Sequence, residues 1–267
     1  MTRIAIERIE ATLVGELRYL NAAPRGGTTT ARLPLARARL AADAWTAGEL
    51  DAIVACSDLQ GVVRGRGDAS QLLGVAVAEW LDELADDGVL PPVARTGVIL
   101  AGDLYSVPGA DKRGGFGDVR DVWAAFAERF AWVAGVSGNH DDVSRVRGIA
   151  DNAHLLDGEV ALLDGVRIGG VGGIVGNPEK RCRRSEEDFL HALDGVIDRG
   201  ADIVVLHEGP HGADDHQRGN AAIRATLEAG EVPFTICGHA HWSDPLARIE
   251  ATGQILNVDA RVVVLLR

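Results

Sequence analysis

Ala131-Trp-Val-Ala-Gly-Val136, followed by Ser137-Gly138-Asn139-His140-Asp141, is the stretch whose reading decides the fold of this chain. A short apolar run of this length reads as a buried strand, and here it stops at a glycine and then presents an amide, an imidazole and a carboxylate in succession. The same shape recurs on both sides. Residues 51–56 run into Ser57-Asp58-Leu59-Gln60-Gly61, and residues 96–101 into Gly102-Asp103-Leu104-Tyr105. Further on, residues 202–206 lead to His207-Glu208-Gly209, and residues 232–237 to Gly238-His239-Ala240-His241.

Segments of helical period separate these runs. One spans 68–88, with Asp68 as its cap and Leu72, Leu73, Ala76, Trp80 and Leu84 on one face; another spans 118–130, with Val122, Trp123, Phe126 and Phe130. A third covers 185–200, where Ser185 and Asp188 form a capping arrangement, and a shorter one covers 220–230. Strand alternating with helix predicts a layered α/β domain, and such sheets hold ligands beyond the carboxyl ends of their strands. All five polar clusters fall there.

The remaining segments are less regular. Asp157-Gly158 and Asp164-Gly165 mark turns between short apolar runs, and residues 254–266 are β-rich, which together predict antiparallel additions to the sheets. Residues 4–20 are compatible with strand or helix, 22–30 form a Gly/Thr-rich loop, and 32–40 read as an edge strand interrupted by Pro34. With no repeat and no linker, residues 1–50 are expected to extend the same domain as residues 51–267.

Composition narrows the possible functions. The 267 residues are 46% hydrophobic and 25% charged, which suits a folded globular chain. A formal net charge of -12 argues against a protein that coats nucleic acid or anionic lipid non-specifically. Cys56, Cys182 and Cys237 match neither a disulfide framework nor a zinc knuckle. The N-terminal residues lack a signal-peptide core and no apolar run reaches membrane-spanning length, so the expected location is the cytoplasm. The excess of Arg over Lys and the abundance of Ala, Gly and Val fit a GC-rich bacterial genome.

Asp58, Gln60, Asp103, Asn139, His207, His239 and His241 are all competent metal donors at anchored strand ends. Singly, each has an ordinary explanation as a turn, a cap or a structural histidine. His239 and His241, two apart in extended chain, point the same way and can face one cavity. Five such clusters in one chain favour two divalent cations held between strand ends.

In this order the motifs resemble the calcineurin-like metallophosphoesterase superfamily, with Gly-Asn-His-Asp at 138–141 and Gly-His-x-His at 238–241 as the most specific elements. The resemblance spans residues 52–242 and implies a four-layer α-β-β-α sandwich of two mixed sheets. It also implies that Asp103 bridges two metals, with Asp58, Gln60 and His241 on one and Asn139, His207 and His239 on the other. By the same resemblance, His140 stabilises the substrate phosphate and protonates the leaving oxygen, Asp141 orients its ring, and a metal-bound hydroxide attacks phosphorus. Gln60 stands where that superfamily most often has His. A neutral amide oxygen is a harder donor than imidazole and favours Mn²⁺ or Fe²⁺ over Zn²⁺. A Gln at this position also resembles the manganese-dependent ADP-ribose and CDP-alcohol diphosphatases of the superfamily, which turns the expected substrate towards nucleotide diphosphates or diesters.

The resulting expectation is an enzyme hydrolysing a phosphodiester, phosphomonoester or nucleotide diphosphate bond in a small phosphorylated substrate. The competing readings are a catalytically silent scaffold that binds a protein partner, and a nuclease. Residues 111–117 form a Gly-rich loop suited to cover the site with cationic groups. Arg181, Arg184, His211, His216, Arg218 and Trp242 are further candidates for substrate contact, each with a plain structural alternative as a solvated charge or a packing residue.

Overall fold

The computed structural model describes residues 4–41, 48–64, 70–112, 114–249 and 253–267. The five apolar runs are strands: Ala52–Ser57, Thr96–Leu100, Trp132–Gly135, Ile203–Glu208 and Phe234–Gly238. They divide between two sheets. Among the described residues the larger has ten strands, in the order Ala153–Leu155, Trp132–Gly135, Thr96–Leu100, Ala52–Ser57, Arg261–Leu266, Thr28–Leu40, Gly15–Ala22, Val62–Arg64 and Ser70–Leu72, with Ile6–Ile9 also paired to Thr28–Leu40. The smaller has six: Glu159–Leu163, Val166–Val171, Ile203–Glu208, Phe234–Gly238, Gly253–Asn257 and Leu246–Ile249.

Alternation along each strand sorts its side chains into separate cores. Ile53, Ala55, Ile99, Val263 and Leu265 of the larger sheet meet Ile203, Val205, Phe234, Ile236 and Leu256 of the smaller, so the two sheets pack face to face. The intervening residues Ala52, Val54, Val98, Leu100 and Val264 point outward, against Val77, Leu81, Val122, Trp123 and Phe126. Those five belong to helices Leu73–Asp86 and Arg120–Ala127. On the far side, Val204, Leu206 and Ile255 pack on Phe189, Leu193, Ile223 and Leu227 of helices Glu186–Asp198 and Ala221–Ala229. The result is a four-layer α-β-β-α sandwich with mixed sheets, as expected from the sequence.

Helix ends follow their caps where a cap exists. Ser185 Oγ accepts the Asp188 amide, and Asn220 Oδ1 accepts those of Ala222 and Ile223. The first helix differs from the expectation. It begins at Leu73 without a side-chain cap, because Ser70–Leu72 pairs with Val62–Arg64 as a strand, and the expected cap Asp68 lies outside the described residues.

Two expectations for the chain's ends are corrected. Thr28–Leu40 is no edge strand: Gly15–Ala22 pairs along one side of it and Arg261–Leu266 along the other. Pro34 is tolerated because Leu35 O accepts the Val14 amide on the hairpin side, which turns the nitrogen of Pro34 the other way, one residue before pairing with Arg261–Leu266 begins. Near the other end the expected antiparallel pairing holds on one side only: Gly253–Asn257 is antiparallel to Leu246–Ile249 but parallel to Phe234–Gly238, and Arg261–Leu266 is antiparallel to Ala52–Ser57 but parallel to Thr28–Leu40, so both strands are interior. Asp164-Gly165 does close an antiparallel hairpin, both residues at positive φ as a two-residue turn requires.

Gln254 joins the N-terminal strand to the smaller sheet. Its Oε1 accepts the Ile6 amide at 2.6 Å and its Nε2 donates to Ile6 O at 2.9 Å, both buried. Gln254→Ala leaves two buried backbone groups without partners and is expected to lower the unfolding free energy by about 2 kcal/mol or more. Urea denaturation measures this directly, and a loss below about 0.5 kcal/mol, within surface-substitution scatter, would show that the clasp is not structural.

Candidate metal centre

The polar clusters of both sheets meet where the parallel strands end. Asp103, His207 and His239 bring one ligand atom each to within 4.8 Å of one another, a group that could hold a metal ion. Asp103 and His207 are buried and His239 is exposed. His207 Nε2 lies 3.4 Å from Asp103 Oδ1 and 3.3 Å from Asn139 Oδ1, and the His207 and His239 rings meet edge-on with centroids 5.1 Å apart.

Glycines make this approach possible. A Cβ on Gly138 would stand 2.0 Å from Asp103 Oδ1, and one on Gly238 would stand 2.0 Å from Ser57 Oγ and 2.6 Å from Asp58 Oδ2. Strain is also concentrated here. Asp58, Asp103 and His239 hold φ values of 55°, 55° and 66°, the left-handed region that a side chain ordinarily avoids.

Asp141 fixes the loops. It is 1% exposed. Its Oδ2 accepts the amides of Asp103 and Gly138, each at 2.8 Å, and its Oδ1 accepts those of Leu104 at 2.7 Å and Tyr105 at 3.1 Å. This corrects the expectation that Asp141 orients the His140 ring. That ring is held instead by Gly115 O, 2.5 Å from Nδ1, while His140 Nε2 lies 3.9 Å from Asp103 Oδ2.

The other expected ligands surround this cluster with their own partners. Asp58 Oδ2 accepts Ser57 Oγ and the His239 amide, and Gln60 Nε2 donates to Asp103 Oδ2 at 3.0 Å. His241 is exposed, with Nδ1 2.8 Å from Asp259 Oδ2. Sequence reasoning misses Asp259. The available signal is one more apolar strand ending in polar residues, Ile255-Leu256-Asn257-Val258-Asp259. Asn257 in turn donates to Ala240 O and steadies the Gly-His-x-His loop.

The electrostatics suit a cation. Nδ1 of His207 faces Ala101 O at 2.8 Å, a carbonyl that can only accept, so this nitrogen carries the hydrogen. A neutral ring would then aim the Nε2 lone pair at the oxygens of Asp103 and Asn139. A proton or a metal ion must lie between them. Burial opposes charge on His207, yet Asp103 and Asp58 outweigh it and push the imidazole up to about 10. Burial pushes Asp58 up to about 8, with the His207 charge opposing and Asp259 and Asp103 reinforcing. Burial also acts to raise Asp103, but His207 and His140 overcome it and hold that carboxyl below its ordinary value. The donor set therefore fits a metal ion.

The outlying candidates are scattered. Trp242 is fully buried, with its indole N–H donating to Arg218 O, so it packs against the core rather than touching a ligand, which corrects the sequence expectation. Arg184 pairs with Asp157, and the Arg181 guanidinium sits 4.9 Å over the Phe116 ring. His211 Nδ1 faces Gly212 O, and the His216 amide donates to Asp214. Arg113 of the Gly-rich loop lies outside the described residues. Among those described, no helix is long and apolar enough to cross a membrane.

Comparison with solved structures supports the fold. TT1561 of Thermus thermophilus is 16% identical, with a TM-score of 0.54, over 78% of this chain and 88% of that one. Phosphopantetheinyl hydrolase (PptH) from Mycobacterium tuberculosis is 13% identical over 79% of this chain and 90% of that one, with a TM-score of 0.48. No family model matches the sequence, nor does any curated protein. At such identity the likeness to TT1561 is one of fold.

Two predictions come from this geometry. At pH 7 the metal-free cluster keeps protons on His207 and Asp58, whereas a cation needs a neutral imidazole and an ionised carboxylate. Calorimetric titration of Mn²⁺ in buffers of differing ionisation enthalpy should therefore show release of roughly one to two protons, with apparent affinity rising from pH 6 to pH 8. No proton release would contradict the assignment. Separately, Asp141→Asn sets an NH₂ against backbone amides and should destabilise the fold by about 2 kcal/mol; an unchanged melting temperature would return Asp141 to a purely catalytic role.

Proposed function

We propose that this chain is a divalent-metal-dependent phosphoesterase acting on a phosphodiester, phosphomonoester or nucleotide diphosphate bond of a small substrate. The observation that carries this reading is the convergence of Asp103, His207 and His239 at the strand ends, with Asp58, Gln60, Asn139 and His241 around them and His140 facing Asp103. The motif resemblance supports it independently. Residues 1–50 belong, in this reading, to the same domain as residues 51–267.

Asp103, the buried carboxylate touched from both sheets, is the proposed bridge between two cations. Asn139, His207 and His239 would complete one set of donors, and Asp58, Gln60 and His241 the other. Divalent cations there supply Lewis-acid polarisation of a phosphoryl group and acidify water. For Gln60 to offer Oε1, its amide must turn over from the present bond to Asp103. A neutral amide in the set favours Mn²⁺ or Fe²⁺ over Zn²⁺.

His140 is the proposed acid. With Nδ1–H directed to Gly115 O, an imidazolium keeps its second proton on Nε2, on the side of Asp103, where the leaving oxygen of a bound ester can accept it. The Gly115 carbonyl does the orienting that Asp141 does not.

The test is metal-free protein titrated with Mn²⁺, Fe²⁺ and Zn²⁺ against bis-(p-nitrophenyl) phosphate and p-nitrophenyl phosphate. Wild type should turn over best with Mn²⁺ or Fe²⁺, Asp103→Asn should lose metal binding and activity together, and His140→Ala should keep its metal while kcat falls by about 10²–10⁴-fold. Wild-type protein that binds metal and hydrolyses neither ester would sink the proposal in favour of a silent scaffold.

A further inference from the structure

A cavity of about 450 Å³ opens beside the metal centre, with Gln60 and His241 forming part of its wall. The rest of its side-chain lining is Asn21 from the N-terminal hairpin, Tyr105 and Ser106 from the loop after Asp103, Lys112 from the Gly-rich loop, and Asp259. This is the size of a small-molecule site, but its chemistry departs from the apolar norm for such pockets. No aliphatic side chain lines it among the described residues. Its one phenol ring, Tyr105, is half-buried and crowded by the Gly-rich loop, since a Cβ on Gly117 or Gly115 would stand 2.1 Å or 3.1 Å from its ring carbons. A purine or pyrimidine would find no apolar wall here.

The charges are equally particular. The Asp259 carboxylate is engaged by His241. Lys112, one of only two lysines in the chain, has no carboxylate partner among the described residues. An ammonium, two hydroxyls and an amide facing one small space match a ligand with several hydroxyls and an anionic group.

Building on the phosphoesterase reading, we propose that this cavity receives the leaving-group half of the substrate, and that this half is a polyhydroxylated group carrying a second anion, of the phosphosugar or phosphopolyol class, rather than a nucleobase. The cleaved ester lies at the Gln60 and His241 end. Lys112 neutralises the second anion, while Ser106, Tyr105 and Asn21 take the hydroxyls.

Calorimetric titration of the Mn²⁺-loaded protein with fructose 1,6-bisphosphate and with adenosine 5′-monophosphate tests this, using wild type and the surface-loop variant Lys112→Ala. The expected result is tighter binding of the bisphosphate than of the nucleotide, with the bisphosphate weakened about tenfold in Lys112→Ala, as loss of one charge-assisted contact implies. Equal or tighter nucleotide binding, or a bisphosphate affinity unmoved by Lys112→Ala, would overturn the proposal. Turnover of bis-(p-nitrophenyl) phosphate in the same wild-type sample reports on the phosphoesterase reading alone, so the two failures are distinguishable.

Discussion

A buried carboxylate needs hydrogen-bond donors, and Asp141 finds four in the backbone of two neighbouring strand ends. Gly138, three residues earlier, is drawn against Asp103, and the loop after Asp103 is pinned through its amides. With both loops fixed, the Asp103 carboxylate reaches the His140 amide on its own sheet and His207 on the other. The site is thus built across the seam between the sheets, with Asp103 from one and His207 and His239 from the other. Rigid strands set the distances, and one anion between loops sets the angles.

The same seam explains why so many polar groups survive burial. Ile53, Ala55, Ile99, Val205 and Ile236 make the inter-sheet core dry up to the strand ends. Beyond it, Ser57, Asp103, Asp141, His207 and Asn257 are all buried, and each has partners. The positive φ angles at Asp58, Asp103 and His239 are tolerated because side chains and amides on both sides hold those residues in place.

Much of this is legible in the sequence. Short β-rich runs followed by Gly and metal-donor residues place the strands and the site at their ends, and local patterns also yield the capped helices and the Asp164-Gly165 hairpin. What is not legible depends on contacts far apart in the chain. Asp141 sits beside His140 in sequence, which points it to the ring; its actual partners include amides 36–38 residues away. Trp242 follows Gly-His-x-His, yet its indole turns into the core. Asp259 belongs to the site only because Gly253–Asn257 lies parallel to Phe234–Gly238. Pro34 suggests an edge, because a sequence does not show on which side of a strand the missing N–H falls.

Among the described residues, the strand Arg261–Leu266 is the sole hydrogen-bonded link, within the larger sheet, between the parallel strands that carry Asp58, Asp103 and Asn139 and the N-terminal hairpin that contributes Asn21. It is also the last of the described elements to leave the ribosome. Until it emerges, the hairpin and the parallel strands have no ladder in common, and two β-edges, the apolar Ala52–Ser57 and the Leu- and Ala-bearing Thr28–Leu40, stand open in the nascent chain. The centre of the sheet is therefore filled last, and during synthesis those edges are exposed to self-association or to capture by chaperones.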